Sequence, residues 1–151
     1  MRDAILAAFP VQPFPAGEAL LTDTYDDEGT GALFARRNWD ELAAAELRYT
    51  SLVFLSPAAF AYYLPALLLA ALEDPGSNVV DALLARLLPP KNDPSRSSYA
   101  CWWQRLTPQQ QHAVIAFLIE QSRQMDGLLL DPLALASLKN SAGFNTDHSA
   151  C

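Results

Sequence analysis

Apolar residues in this chain recur at helical spacing, and proline, glycine and capping residues divide them into blocks. Val79, Val80, Leu83, Leu84, Leu87 and Leu88 make one stripe on a helix that follows Asp74-Pro75-Gly76 and is capped by Ser77 or Asn78, with Asp81 and Arg86 off the stripe. Thr107-Pro108-Gln109-Gln110 is a capping box with proline at the first helical position. It predicts a helix to about Met125, with Val114, Ile115, Leu118 and Met125 opposite a polar face of His112, Ala116, Glu120 and Arg123. Ser56 as N-cap and Pro57 open a central helix to about Glu73, and Pro65 inside it removes an amide donor and predicts a kink.

The remaining blocks are shorter. Residues 2–9 form a first helix ended by Pro10, after which Pro13, Pro15 and Gly17 keep the backbone extended. Asp26, Asp27 and Glu28 open a second helix and Arg36 and Arg37 close it, each matching the helix dipole at its end. Asn38, with Glu41 three residues on, caps a third helix over Trp39–Tyr49, and Tyr49–Leu55 reads as an extended connector without a partner strand. Pro89–Ser95 is a loop, Ser98–Leu106 a short helix carrying two tryptophans, and Asp131-Pro132 starts a last helix to about Asn140. No repeated two-residue alternation and no internal repeat occurs. The fold expected is therefore all-α: a single compact multi-helix domain over residues 1–140 with a Pro-kinked central helix and a fraying tail at 141–151.

Composition fits one such domain. The chain has 151 residues, 51% of them hydrophobic and 18% charged, enough to bury a core and too apolar for a disordered chain. Its net charge of -7 repels phosphate backbones and anionic lipid surfaces, so nucleic acid is a poor partner. Five of those seven net charges fall in residues 1–35, where Asp3, Glu18, Asp23, Asp26, Asp27 and Glu28 face Arg2 alone.

Leu52–Leu72 is a run of 21 uncharged residues. Because the helix starts only at Pro57, its apolar part spans ~24 Å, short of the ~30 Å hydrocarbon core of a bilayer, and a buried central helix is expected in place of a membrane span. The N-terminus, with Asp3 and Pro10 close to the start, does not read as an export signal. Two cysteines, Cys101 and Cys151, are too sparse for a disulfide scaffold, so a reducing, cytoplasmic setting and a Cys101 packed as a small core residue are expected.

Catalytic signatures are scarce. Metalloprotease, paired-cysteine, nucleophile-elbow and phosphate-loop motifs do not occur. A thiol enzyme would need Cys101 beside His112, since a thiolate depends on a nearby imidazole or helix N-terminus, and His112 reads as a surface residue. The acids at 23–28 fail as a calcium loop: with Asp23 first, Tyr25 stands third, Glu28 takes the position that needs glycine, and Phe34 the position that needs glutamate. No cofactor and no metal is expected. The acids instead suit a protein-binding patch, with Tyr25 as an aromatic anchor and Asp40 and Glu41 extending it. Trp39 reads as core, whereas the adjacent Trp102 and Trp103 point in different directions, so that one of them is expected to mark a contact surface.

The segment Leu52-Val53-Phe54-Leu55-Ser56-Pro57-Ala58-Ala59-Phe60-Ala61-Tyr62-Tyr63-Leu64-Pro65-Ala66-Leu67-Leu68-Leu69-Ala70-Ala71-Leu72-Glu73-Asp74 resembles a family of small uncharacterised bacterial proteins with a similar L-x-F-L-[ST]-P-x-A-F-x-Y-Y-L-P-A stretch. Ile5, Phe9, Pro13, Asn38-Trp39 and the Thr107–Met125 helix fit the same pattern, so the resemblance spans residues 2–125. It implies a fold and carries no catalytic residue. In size and charge the chain is also similar to immunity proteins encoded beside secreted toxins, including type VI nuclease effectors. The function expected is a non-catalytic inhibitor that docks its acids on a basic toxin domain; the alternatives are a small enzyme using Cys101 and His112 or the carboxylates, and a regulatory or scaffold subunit.

Overall fold

Ser56 does two jobs at the entry to the central helix. Its hydroxyl accepts the Ala59 amide at 3.1 Å as an N-cap and donates to the carbonyl of Ala19, clasping the N-terminal arm to the helix start. The computed structural model describes residues 1–22, 29–88 and 99–125. Among them the elements are α1 (Arg2–Ala8), α2 (Thr30–Phe34), a 3₁₀ turn (Trp39–Glu41), α3 (Ala44–Leu47), α4 (Pro57–Glu73), α5 (Asn78–Leu87), helical residues 99–103, and α6 (Pro108–Gln124). The all-α expectation holds. The acids at 23–28, the loop at 89–95, the start of the tryptophan helix, the last helix and the tail at 141–151 lie outside the described residues.

Helix α4 is the hub. It touches α1, the 3₁₀ turn, α3 and α5, while α1 also meets α6. Apolar on all sides, it is buried from Ala58 to Leu68 and again at Ala70 and Ala71. The helix continues unbroken through Pro65, whose missing amide leaves the Ala61 carbonyl without its usual intrahelical donor. No helix among the described residues is long and apolar enough to cross a membrane.

Aromatic rings tie the layers around α4. Trp102 packs edge-on against Phe60 at 4.9 Å and Tyr99 at 4.8 Å, and Trp103 stands perpendicular to it at 5.6 Å. Both tryptophans are core residues, 2% and 4% exposed, which corrects the expectation that one of them faces outward. Consecutive positions on a helix normally diverge by about 100°, but here α4 lies on one side of the pair, and the Trp103 carbonyl takes the side-chain amide of buried Gln111 on α6 at 3.1 Å. Tyr99 donates to the Leu87 carbonyl at 2.6 Å, fastening the tryptophan segment to the end of α5.

The expected third helix is replaced by two short pieces. Trp39 is drawn inward, its indole donating to the Pro10 carbonyl and its amide to the Tyr62 hydroxyl, each at 3.2 Å, so the chain closes a 3₁₀ turn and leaves helical geometry at Leu42. Asn38 makes no side-chain cap. Glu46 supplies the cap at α3 instead, accepting the Ala43 amide at 3.1 Å while it pairs with Arg37. The connector at 49–55 also gains a partner: Leu21 and Leu55 form an isolated antiparallel bridge, flanked by the Thr22 amide on the Phe54 carbonyl at 2.8 Å and the Ser56 amide on the Leu20 carbonyl at 3.0 Å.

Two capping expectations end differently. At α6 the Thr107 and Gln110 box forms in both directions, at 3.2 and 3.0 Å. At α5 the Ser77 hydroxyl is buried and meets no partner among the described residues, because the Arg48 carbonyl reaches across to take the Val79 amide at 3.1 Å. On α6 the apolar stripe is buried at Val114, Ile115 and Leu118, yet Met125 at its end is exposed, and Gln121 and Ser122 are buried with the stripe.

Candidate functional site

The described residues on either side of the acidic segment are Thr22 and Gly29. On one side Thr22 is fixed by its amide on Phe54 and by its hydroxyl, which donates to the Leu55 carbonyl at 3.1 Å. On the other, Gly29 adopts φ 77°, a left-handed backbone that a side chain would strain, and it starts α2 next to the buried Thr30. Asp23, Tyr25, Asp26, Asp27 and Glu28 themselves lie outside the described residues.

Asp40 and Glu41 are placed. Both are exposed on the 3₁₀ turn immediately after the buried Trp39. The turn is braced from below by Arg37, which donates to the Glu41 carbonyl at 2.6 Å and forms a two-pronged pair with the Glu46 carboxylate at 2.7 and 2.9 Å. That pair, helped by the Ala43 amide, holds the Glu46 carboxyl at about 2 and raises the Arg37 guanidinium further. Burial raises the Tyr62 hydroxyl, and the charges of Asp40 and Glu41 push it in the same direction against the Trp39 hydrogen bond.

Tyr62 is also the wall of a pocket of about 150 Å³ that no sequence pattern announced. Ala58 and Ala61, small residues one turn apart on α4, leave room against the rings of Phe9, Trp39 and Tyr62. Pro10, Pro15 and Leu106 add apolar surface, and Arg105 and Gln110 bring polar groups from the start of α6 and the turn before it. These residues come from four separate stretches of chain, so a helix-by-helix reading does not bring them together. Most of the wall's polar groups are engaged: Trp39 on Pro10, Tyr62 on the Gln12 carbonyl, and the Gln110 side chain on the Ala8 carbonyl at 3.1 Å and the Thr107 amide at 3.0 Å. Arg105 meets Glu18 at 3.2 Å, both side chains more than a third exposed.

The proposed thiol pair is not available in the expected form. Cys101 is half-buried and disulfide-bonded, which corrects its reading as a free core thiol. Cys151 lies outside the described residues. His112 is exposed on α6, as expected from its polar neighbours. Among the described residues no group of three or more His, Cys, Asp or Glu side chains is placed to hold a metal ion.

One half-buried cation carries more contacts than its place off the stripe suggests. Arg86, read as lying off the α5 stripe, turns back under the 52–55 connector, donates to the Leu52 and Leu55 carbonyls, and covers the Phe60 ring. Burial brings its guanidinium down to about 10, still charged at neutral pH.

Neither the proteins of curated function nor the solved structures contain a match to this chain. A family model does match, over residues 14–137, which include the Leu52–Asp74 segment, the 3₁₀ turn and all of α6. The match starts after α1 and runs beyond Met125, shifted towards the C-terminus from the span the sequence pattern indicated. By that match the chain belongs to the family of unknown function DUF6714.

Proposed function

We propose that this chain is a non-catalytic, acidic protein-binding module whose partner presents a basic surface, and that the partner is a secreted toxin domain, a nuclease being the case its charge suits best. The observation that carries the reading is that Asp40 and Glu41 stand exposed on a turn held from beneath. Trp39, Tyr62 and Arg37 hold that turn, and the acids at 23–28 add to the chain's negative charge. Held charges lose less freedom on binding than charges on a loose tail, so more of the attraction survives as affinity. A nuclease groove is positive because it must hold phosphates, and clustered carboxylates compete for the same groups.

Affinity capture tests this reading. Wild-type bait is compared with a variant carrying Asp26→Lys, Asp27→Lys, Glu28→Lys, Asp40→Lys and Glu41→Lys. A basic protein retained by the first and lost from the second supports the proposal. A partner retained equally by both points to a scaffold or regulatory role through another surface.

A further inference from the structure

We infer that the pocket between α1, the 3₁₀ turn, α4 and the start of α6 binds a small aromatic carboxylate, with the ring against Tyr62 and Trp39 and the carboxylate on Arg105. This inference is independent of the acidic protein-binding reading.

Size sets the ligand's body. A space of about 150 Å³ has room for one benzene ring, and Phe9, Trp39 and Tyr62 are among the residues that line it. Polarity sets its head group. Trp39, Tyr62 and Gln110 are already committed to protein partners, so they offer the ligand little beyond surface. Arg105 is the charged group on the wall, and its one carboxylate partner among the described residues, Glu18, touches it through Nη1 alone at 3.2 Å. An ion pair of that exposure contributes little, and a ligand carboxylate that takes two guanidinium nitrogens in parallel displaces it with a gain. Orientation follows as well. Asp40 and Glu41 act on the Tyr62 hydroxyl, so the Tyr62 side of the pocket is unfavourable to an anion and the carboxylate is held at the Arg105 rim.

The test uses the full chain, phenylacetate as the probe, and the Trp39 indole N–H resonance as the readout, with far-ultraviolet circular dichroism to confirm folding of each variant. Phenylacetate should shift that resonance saturably, while phenylacetamide, of the same shape without the charge, should bind about tenfold more weakly or less. Arg105→Met should weaken phenylacetate by a similar factor. Glu18→Gln should strengthen it, because the competing carboxylate is gone. No Trp39 shift up to about 10 mM phenylacetate, equal responses to acid and amide, or a Glu18→Gln variant that binds no better than wild type would each overturn the inference.

Discussion

Arg86 lies over the ring of Phe60, its guanidinium carbon 4.3 Å from the ring centroid, and the same guanidinium donates to the Leu55 carbonyl at 2.8 Å and to the Leu52 carbonyl. A side chain from α5 thereby closes the connector onto α4 just before Ser56 starts the helix. Removing it takes one charged donor from each of two carbonyls and uncovers a ring face. Arg86→Met should cost about 3 kcal/mol, read as a lower urea midpoint, from two charge-assisted hydrogen bonds and one cation-ring contact. Arg86→Lys should fall between, since an ammonium keeps the charge but not the fork that spans both carbonyls.

The Tyr63 hydroxyl sits between the carbonyls of Phe34 at 2.8 Å and Arg37 at 2.7 Å, and burial pushes it up to about 12. A free tyrosine ionises near 10. The folded state therefore keeps a proton that the unfolded chain releases first, so this group's contribution is complete below pH 10 and is lost as pH rises from about 10 to about 12. Denaturant midpoints measured across that window should fall more steeply for wild type than for Tyr63→Phe. At neutral pH the variant should be less stable by about 1–3 kcal/mol.

Glu46 gives the opposite pH dependence. Its carboxyl, held at about 2 by Arg37 and the Ala43 amide, loses its proton more readily folded than unfolded. Its stabilising effect is present above about 4.5 and disappears as pH falls toward 2. Stability of the wild type should drop over that interval by more than that of Glu46→Gln, and at pH 2 the two should converge.

Two serines at equivalent positions should behave differently. Ser56→Ala loses the cap on Ala59 and the clasp on Ala19 together and should cost about 1–2 kcal/mol. Ser77→Ala removes a buried hydroxyl that has no partner among the described residues, at a helix start already satisfied by Arg48, and should be neutral or slightly stabilising. Thermal or urea unfolding of the two single variants decides this.

The contrast shows what the sequence carried. Caps built from neighbouring residues, such as Ser56-Pro57 and Thr107 with Gln110, were legible because both partners lie within four positions. Asn38 and Glu41 have the same spacing, but Trp39 between them is pulled 29 residues back to Pro10 and 23 forward to Tyr62, and that long-range demand wins. Ser77 was displaced from its cap by a carbonyl from another segment. Arg86 shows the same limit for charge: a position off the apolar stripe reads as exposed until a connector folds over it. The pocket was invisible for this reason too, since Phe9, Trp39, Tyr62 and Arg105 meet only through the tertiary fold. At the candidate binding surface, the acids could be read from charge alone, whereas the burial of Trp102 and Trp103 followed from Phe60 and Tyr99, which no local pattern ties to them.

The most direct test of the central claim is the association rate with the captured partner as a function of salt, for wild type and for the variant with lysines at 26, 27, 28, 40 and 41. Steered encounter predicts a wild-type rate that falls steeply between about 10 and 300 mM salt, and a variant that associates about tenfold or more slowly at low salt with little salt dependence. Equal rates for the two proteins, insensitive to salt, would contradict an acidic docking surface.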